Sequence, residues 1–303
     1  MGRAIVGVAV ALCTFPISIF VNRIVTEPYM DEIFHVPQAQ QYCRGNFRSW
    51  DPMITTPPGL YFLSLAYLAS IFPGLSFVLS FSELCSTSAL RFTNSVMAVI
   101  CGILIFEIMS VLSPSLGDEK RTFRALVLSL YPLHWFFTFL YYTDVASLTA
   151  VLAMYLLALK HKYFFSSLIG AFSVLIRQTN IIWMLFVACA GVIDFTESHS
   201  KHRSESVEFS SSKEDPNSST SHGGASKLRR RRTREVPNRH GNICTPNVLV
   251  PTAPSAGLVD EVQHTIIILW NHFWDLLVAF SPFFVVFTGF IAFVWWNGSI
   301  VLG

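Results

Sequence analysis

Two adjacent carboxylates and a nearby imidazole stand just past the first apolar segment of the chain, in Tyr29-Met30-Asp31-Glu32-Ile33-Phe34-His35-Val36-Pro37. A carboxylate within hydrogen-bond reach of a substrate hydroxyl can take its proton and act as general base. Ionisable groups at a bilayer edge are costly unless they face water, substrate or a partner, which makes the pair a functional candidate. A plainer role is also open: Asp31 and Glu32 at the start of a helix would complement its dipole. Two more polar groups sit at comparable boundaries. Asp144 follows the aromatic run Trp135 to Tyr142 and opens an apolar stretch, as a helix cap or as a substrate contact. Arg177-Gln178-Thr179-Asn180 separates two apolar stretches; its guanidinium suits a phosphate and its amides a sugar, unless the arginine merely snorkels to headgroups.

These residues have to be positioned by membrane helices. The 303 residues are 52% hydrophobic and 13% charged, against about 25% charged in soluble domains. Mean hydropathy is +0.50. The chain is therefore expected to be an all-α, polytopic membrane protein. A net charge of +2 is too small to favour nucleic acid. The six cysteines lack CxxC or CxxH spacing, so neither a zinc site nor a redox motif is supported. Cys13, Cys101 and Cys189 read as small packing residues, whereas Cys43 and Cys85 could meet in a loop region.

Apolar stretches run at about 4–21, 59–80, 91–112, 124–141, 143–159, 163–176, 180–195 and 265–296. The first reads as a retained signal anchor with a cytosolic N-terminus. Residues 196–264 change character, being rich in Ser, Asn, Thr and charge, with the run Lys227-Leu228-Arg229-Arg230-Arg231-Arg232-Thr233-Arg234. Such a segment cannot bury enough apolar surface to fold and is expected to be a disordered loop. A nuclear-import signal is the less favoured reading of its arginines. If every apolar stretch crosses, Lys120-Arg121, Lys160-His161-Lys162 and the arginine run all fall outside, against the positive-inside rule. Residues 59–80, starting at Pro57-Pro58-Gly59 and holding Pro73-Gly74, are the stretch least suited to an unbroken span. With that segment interfacial or re-entrant, the three basic clusters become cytosolic. Asp31-Glu32, Tyr142-Thr143-Asp144 and Arg177-Gln178-Thr179-Asn180 then gather on the opposite, luminal side.

A long luminal loop bearing an acidic pair resembles the GT-C superfamily of glycosyltransferases that use polyprenyl-phosphate sugars. Three motifs narrow this: Tyr29 through Gln40, Asp51-Pro52-Met53-Ile54-Thr55-Thr56-Pro57-Pro58-Gly59-Leu60-Tyr61, and Arg177-Gln178-Thr179-Asn180-Ile181-Ile182-Trp183. Together they resemble the endoplasmic-reticulum α-1,2-glucosyltransferase family, which adds the third and last glucose to the dolichol-linked N-glycan precursor. The resemblance runs on to the closing segment Trp296 through Gly303. It implies a GT-C-like helical bundle over 1–195, with a luminal catalytic loop at about 22–58, a cytosolic loop at 196–264 and a further span in 265–303. Family members are longer, so the chain is expected to be a truncated form.

The resemblance also implies the reaction. The donor is dolichyl phosphate β-glucose and the acceptor the 2-hydroxyl of the terminal glucose on the dolichol-linked oligosaccharide, with membrane lipid around both. A β donor giving an α product requires inversion, so one carboxylate suffices as base. Asp31 is the expected base, with Glu32 the alternate. A cation near the leaving phosphate would help; Arg177 is the first candidate, with His35, Arg44 and Arg48 behind it. Asp144, Gln178 and Asn180 are expected substrate contacts. A lipid monophosphate carries no pyrophosphate to neutralise, so neither metal nor cofactor is expected. Two alternatives remain: a dolichyl-phosphate-mannose-dependent mannosyltransferase of the same superfamily, and a non-catalytic truncated membrane protein that modulates a partner. A transporter ranks last, since the chain shows no internal repeat.

Overall fold

The computed structural model describes residues 1–71, 84–211, 263, 266–267 and 269–301. Its contacts divide the chain into two units, Met1–Phe195 with Phe273–Gly303, and Thr196–His272. Among the described residues every regular element is helical. In order these are α1 (Gly2–Ile24), α2 (Glu32–Cys43), α3 (Gly59–Ile71), α4 (Thr87–Leu112), α5 (Asp118–Ser129), α6 (Pro132–Thr138), α7 (Thr143–Leu159), α8 (Tyr163–Ile176), α9 (Asn180–Ser211) and α10 (Phe273–Asn297).

Four of these, α1, α4, α10 and the Asn180–Glu197 part of α9, are long and apolar enough to cross a bilayer. The protein is thus a multi-pass membrane protein. Helix α9 runs on to Ser211, past the boundary expected at 195. Most of the polar segment expected to be disordered, 212–262, lies outside the described residues.

Contacts along the helices fix which ends lie together. Gly2 of α1 abuts Phe106 of α4 and Thr122 of α5. Further along, Ser95 donates to Ser18 at 3.1 Å, and Arg91 to the Asn22 side chain at 3.2 Å. Helices α1 and α4 are therefore antiparallel. Val6, Val10, Phe106 and Ala125 form one cluster at the far end. There Glu107 faces both Arg3 at 3.5 Å and Lys160 at 3.4 Å, a partly exposed triad worth little by itself.

The stretch expected to span at 124–141 is instead broken. Pro132 occupies the first turn of α6, and the preceding Tyr131 is extended at φ −56° and ψ 130°. Steric clash with a proline ring disfavours helical backbone in the residue before it. The pair α5–α6 still travels the length of α4, from Thr122 near Gly2 to Leu140, whose carbonyl accepts from Asn94 at 2.6 Å. The chain then bends by 116° between α6 and α7. Helix α7 returns along α4, with Thr149 donating to the Met97 carbonyl at 3.2 Å.

Among the described residues α3 runs for 13 residues, about 20 Å of helix, against a hydrocarbon core of roughly 30 Å. Its start touches the end of α8, because a Cβ on Gly59 would fall 2.5 Å from the Leu175 carbonyl carbon. Only glycine permits that backbone approach. Its later residues, Tyr67, Leu68 and Ile71, line a groove with Ser18, Asn22 and Phe92. Both ends of α3 thus meet the same end of the bundle, and α3 runs across it. Residues 72–83, which complete the expected interfacial segment, lie outside the described residues.

A disulfide joins Cys43, at the end of α2, to Cys85, just before α4, with Cα atoms 6.5 Å apart. It closes a loop of 42 residues, worth about 4 kcal/mol if loop entropy alone counts, and typically 2–4. Cys43→Ser is accordingly expected to lower the midpoint of thermal aggregation in detergent. Dithiothreitol should reproduce that drop in the unaltered protein and add nothing in the variant.

Candidate active site

The acidic pair divides into two roles as soon as α2 forms. Met30 has a left-handed backbone, φ 55°, a conformation costing about 1–2 kcal/mol for a residue with a Cβ. The turn is held because Glu32 reaches back and accepts from the Tyr29 backbone N–H at 2.9 Å, as the acid of a capping box does. Glu32 Oε2 also accepts from Arg91 Nη2 at 2.6 Å, and Oε1 from Arg91 Nε at 2.9 Å and from the Tyr141 backbone N–H. Each oxygen is taken twice, and both side chains of the ion pair are 1% exposed.

Arg91 is equally committed. Besides Glu32, its guanidinium donates to Asn22 Oδ1 and to the carbonyls of Val25 and Glu27. This arginine opens an apolar run in the sequence and passes unnoticed there. A lone charge at the mouth of a span was the signal that could have found it. Glu32 is therefore a structural clamp. In this arrangement a carboxylate filled by four donors has no lone pair left for a substrate hydroxyl, which favours Asp31 over Glu32.

Asp31 differs in every respect. It occupies the N-cap of α2, yet its carboxylate makes no cap bond. It is exposed, and among the described residues its one side-chain hydrogen bond comes from the Tyr142 hydroxyl, to Oδ2 at 2.9 Å. Tyr142 itself stacks on Phe137 with centroids 5.3 Å apart and meets the His35 ring edge-on at 5.5 Å. Burial pushes its phenol up to about 12, assisted by the bond to Asp31 and by the charges of Asp31 and Asp144, so it remains a donor.

His35 lies one turn beyond Asp31, buried, with Nδ1 2.7 Å from the Tyr61 hydroxyl. Burial holds its pKa below the ordinary histidine value, opposed by Asp31 and helped by Arg177. That shift weakens the case for His35 as a phosphate cation, and its ring packs against Tyr61 and Tyr142. Arg44 and Arg48 are exposed beyond the end of α2.

Arg177, between α8 and α9, forks onto Asp144 in the first turn of α7, Nη1 to Oδ1 at 2.8 Å and Nη2 to Oδ2 at 3.4 Å. Both are about a third exposed, at 32% and 31%. The carboxylate is thus spent on the arginine rather than on capping its helix. Together they open one end of a groove of about 470 Å³ whose walls include His134, Leu148, Val151 and Trp183. A charged mouth on an apolar trough suits a lipid with a phosphate head. A second groove, of about 380 Å³ between α8 and α10, has Leu175, Phe290 and Phe293 in its walls and no charged side chain.

Two expected substrate contacts are bonded to protein groups while each also lines a groove, Asn180 the one at Arg177 and Gln178 the one between α8 and α10. Asn180 is buried, donating to Ser147 Oγ and to the Ser173 carbonyl, both at 2.8 Å. It ties α7, α8 and α9 together. Gln178 is buried and donates to the Thr55 carbonyl at 2.9 Å, anchoring the Pro57-Pro58 turn. Gln38 fixes the other side of that loop, donating to the Ser49 carbonyl at 2.6 Å and accepting from the Asp51 N–H at 3.0 Å. Among the described residues no three His, Cys, Asp or Glu side chains converge as a metal site would need.

The fold and site define a polytopic helical membrane protein that presents an exposed carboxylate and a paired guanidinium at one end of its bundle. Residues 25–303 match the DIE2/ALG10 family. The chain belongs to that family. It is 54% identical, over its whole length, to the Arabidopsis thaliana Dol-P-Glc:Glc(2)Man(9)GlcNAc(2)-PP-Dol alpha-1,2-glucosyltransferase. Over 60% of the chain it is 41% identical to the Rattus norvegicus protein of the same name, and over 59% it is 42% identical to that of Yarrowia lipolytica. The chain spans 60% of the length of the Arabidopsis relative and 39% of the rat one. No solved structure matches it.

Proposed function

We propose that the chain carries the catalytic end of an inverting glucosyltransferase, which passes glucose from dolichyl phosphate glucose to the dolichol-linked oligosaccharide and forms an α-1,2 bond. The observation that carries this is the state of Asp31, exposed, held through one oxygen by Tyr142, and close enough to the Arg177–Asp144 pair for all of them to act on Tyr142. The relatives' shared name supplies the substrates.

In this reading the acceptor 2-hydroxyl hydrogen-bonds to the open oxygen of Asp31. As the hydroxyl oxygen attacks the anomeric carbon, its proton passes to the carboxylate. The bond from the anomeric carbon to the phosphate oxygen breaks on the opposite face, and its electrons leave with the dolichyl phosphate. The configuration inverts from β to α. The leaving phosphate gains negative charge, and Arg177 at the groove mouth is placed to stabilise it. The lipid chain then lies along the apolar wall of α7. Asp144 keeps the guanidinium aimed.

The same reading sets this end of the bundle in the lumen of the endoplasmic reticulum. Disulfides such as Cys43–Cys85 persist in oxidising compartments. Arg3 and Lys160 meet Glu107 at the opposite end, as the positive-inside rule asks of a cytosolic face. Two unrelated physical arguments agree.

Complementation tests the proposal. The 303-residue chain, expressed in cells lacking the last glucosyltransferase of this pathway, is expected to convert the two-glucose lipid-linked oligosaccharide to the three-glucose species. Membrane-inserted, disulfide-bonded protein that leaves the two-glucose species unchanged would overturn the proposal for this chain.

A further inference from the structure

We propose that Tyr142 is a positioning residue for the transfer: its hydroxyl fixes the Asp31 carboxylate so that one oxygen stays aimed at the acceptor. The inference rests on the reading of Asp31 as base and extends it to a residue that neither the motif pattern nor the relatives' names assign.

The geometry is a double stitch. Adjacent carboxylates at 31 and 32 meet adjacent residues at 142 and 141: Tyr142 Oη donates to Asp31 at 2.9 Å, and the Tyr141 N–H donates to Glu32. Because Glu32 is locked by the buried Arg91, the stretch of backbone carrying Tyr142 is set in register against α2. Asn94 reinforces it, donating to the carbonyls of both Leu140 and Tyr142, at 2.6 and 2.7 Å. The ring is clamped between Phe137 and His35. Nothing in helix formation calls for the phenol, since Tyr142 at the N-cap of α7 makes no side-chain cap bond.

An exposed aspartate on its own samples several rotamers, few of which point a lone pair at a bound hydroxyl. One charge-assisted bond to Oδ2, from a donor rigidly held, removes most of that freedom and leaves Oδ1 open. The next residue but one is Asp144, partner of Arg177. The segment 142–144 therefore also sets the spacing between the base and the cation proposed for the leaving phosphate. Good alignment of reacting groups is worth large factors in rate, and small misplacements lose them.

The test uses the full chain in proteoliposomes with dolichyl phosphate glucose and the two-glucose acceptor. Tyr142→Phe keeps the ring and its stacking and removes only the hydroxyl. It is expected to lower kcat by about tenfold or more, the lower end of what a bond to a charged group contributes, with both KM values within about twofold of the parent. The Cys43–Cys85 disulfide and the amount of inserted protein should not change. In an Asp31→Asn background, Tyr142→Phe should cost nothing further, because its action passes through Asp31. A parental kcat in Tyr142→Phe, or a full additional loss in the Asp31→Asn background, overturns the inference. If Tyr142→Phe is unimpaired while Asp31→Asn is inactive, only the positioning role falls. If Asp31→Asn transfers normally, or the parent transfers nothing, the underlying reading falls and takes this inference with it.

Discussion

Asp31→Asn is expected to lower glucose transfer by at least about a hundredfold, within the range a positioned general base contributes. The substitution is nearly isosteric and sits at an exposed N-cap where the carboxylate makes no cap bond, so folding should be close to unchanged. Asparagine still accepts from Tyr142 but cannot take a proton from the acceptor at neutral pH. The loss should therefore fall on kcat, with acceptor KM little altered. Arg177→Ala should behave differently. On the proposed mechanism it removes a cation that would meet the donor phosphate in both ground and transition states, so donor KM should rise together with a fall in kcat. It also leaves Asp144, which is 31% exposed, free to repel that phosphate. Single-turnover transfer in proteoliposomes, with donor and acceptor varied separately, would separate the two patterns. A kcat for Asp31→Asn within a few-fold of the parent would remove Asp31 from the mechanism.

The second large effect concerns stability. Arg91→Ala is expected to cost about 3–5 kcal/mol, as breaking a buried ion pair does. It leaves the Glu32 carboxylate 1% exposed without its cation. It also orphans the carbonyls of Val25 and Glu27, which lie just before the acidic motif. The prediction is a protein that inserts poorly, is cleared from the membrane, and has a strongly lowered aggregation midpoint. Arg91→Lys keeps the charge but cannot reproduce the fork, whose Nε and Nη2 reach the two oxygens of Glu32; it should recover only part. Glu32→Gln should also destabilise, since an amide offers one acceptor oxygen where two are used, and any transfer lost should track lost protein. Normal abundance with abolished transfer in Glu32→Gln would contradict a purely structural role for Glu32.

Much of this molecule was legible in one dimension. Low charge and apolar runs separated by turns give membrane helices, because bilayer thickness sets the length of a span and backbone polar groups must be satisfied within it. The position of Asp31-Glu32 past the first span, and of Arg177 between two others, marked the candidate residues. The break before Pro132 was overlooked in reading 124–141 as one stretch, although a local rule for the residue before proline accounts for it. What sequence could not rank was the two members of the acidic pair. They are neighbours of one type, and only packing separates them. Glu32 turns inward to Arg91, 59 residues away, while Asp31 stays outside to meet Tyr142, 111 residues away. Arg91 was missed, the bond from Tyr142 to Asp31 was not foreseen, and the protein partners of Asn180 and Gln178 were not legible, for the same reason. Periodicity and composition report which residues share a helix face. Hydrogen-bond partners across tens of residues are set by how helices cross, and a side chain becomes clamp or catalyst according to which of its lone pairs the fold leaves open.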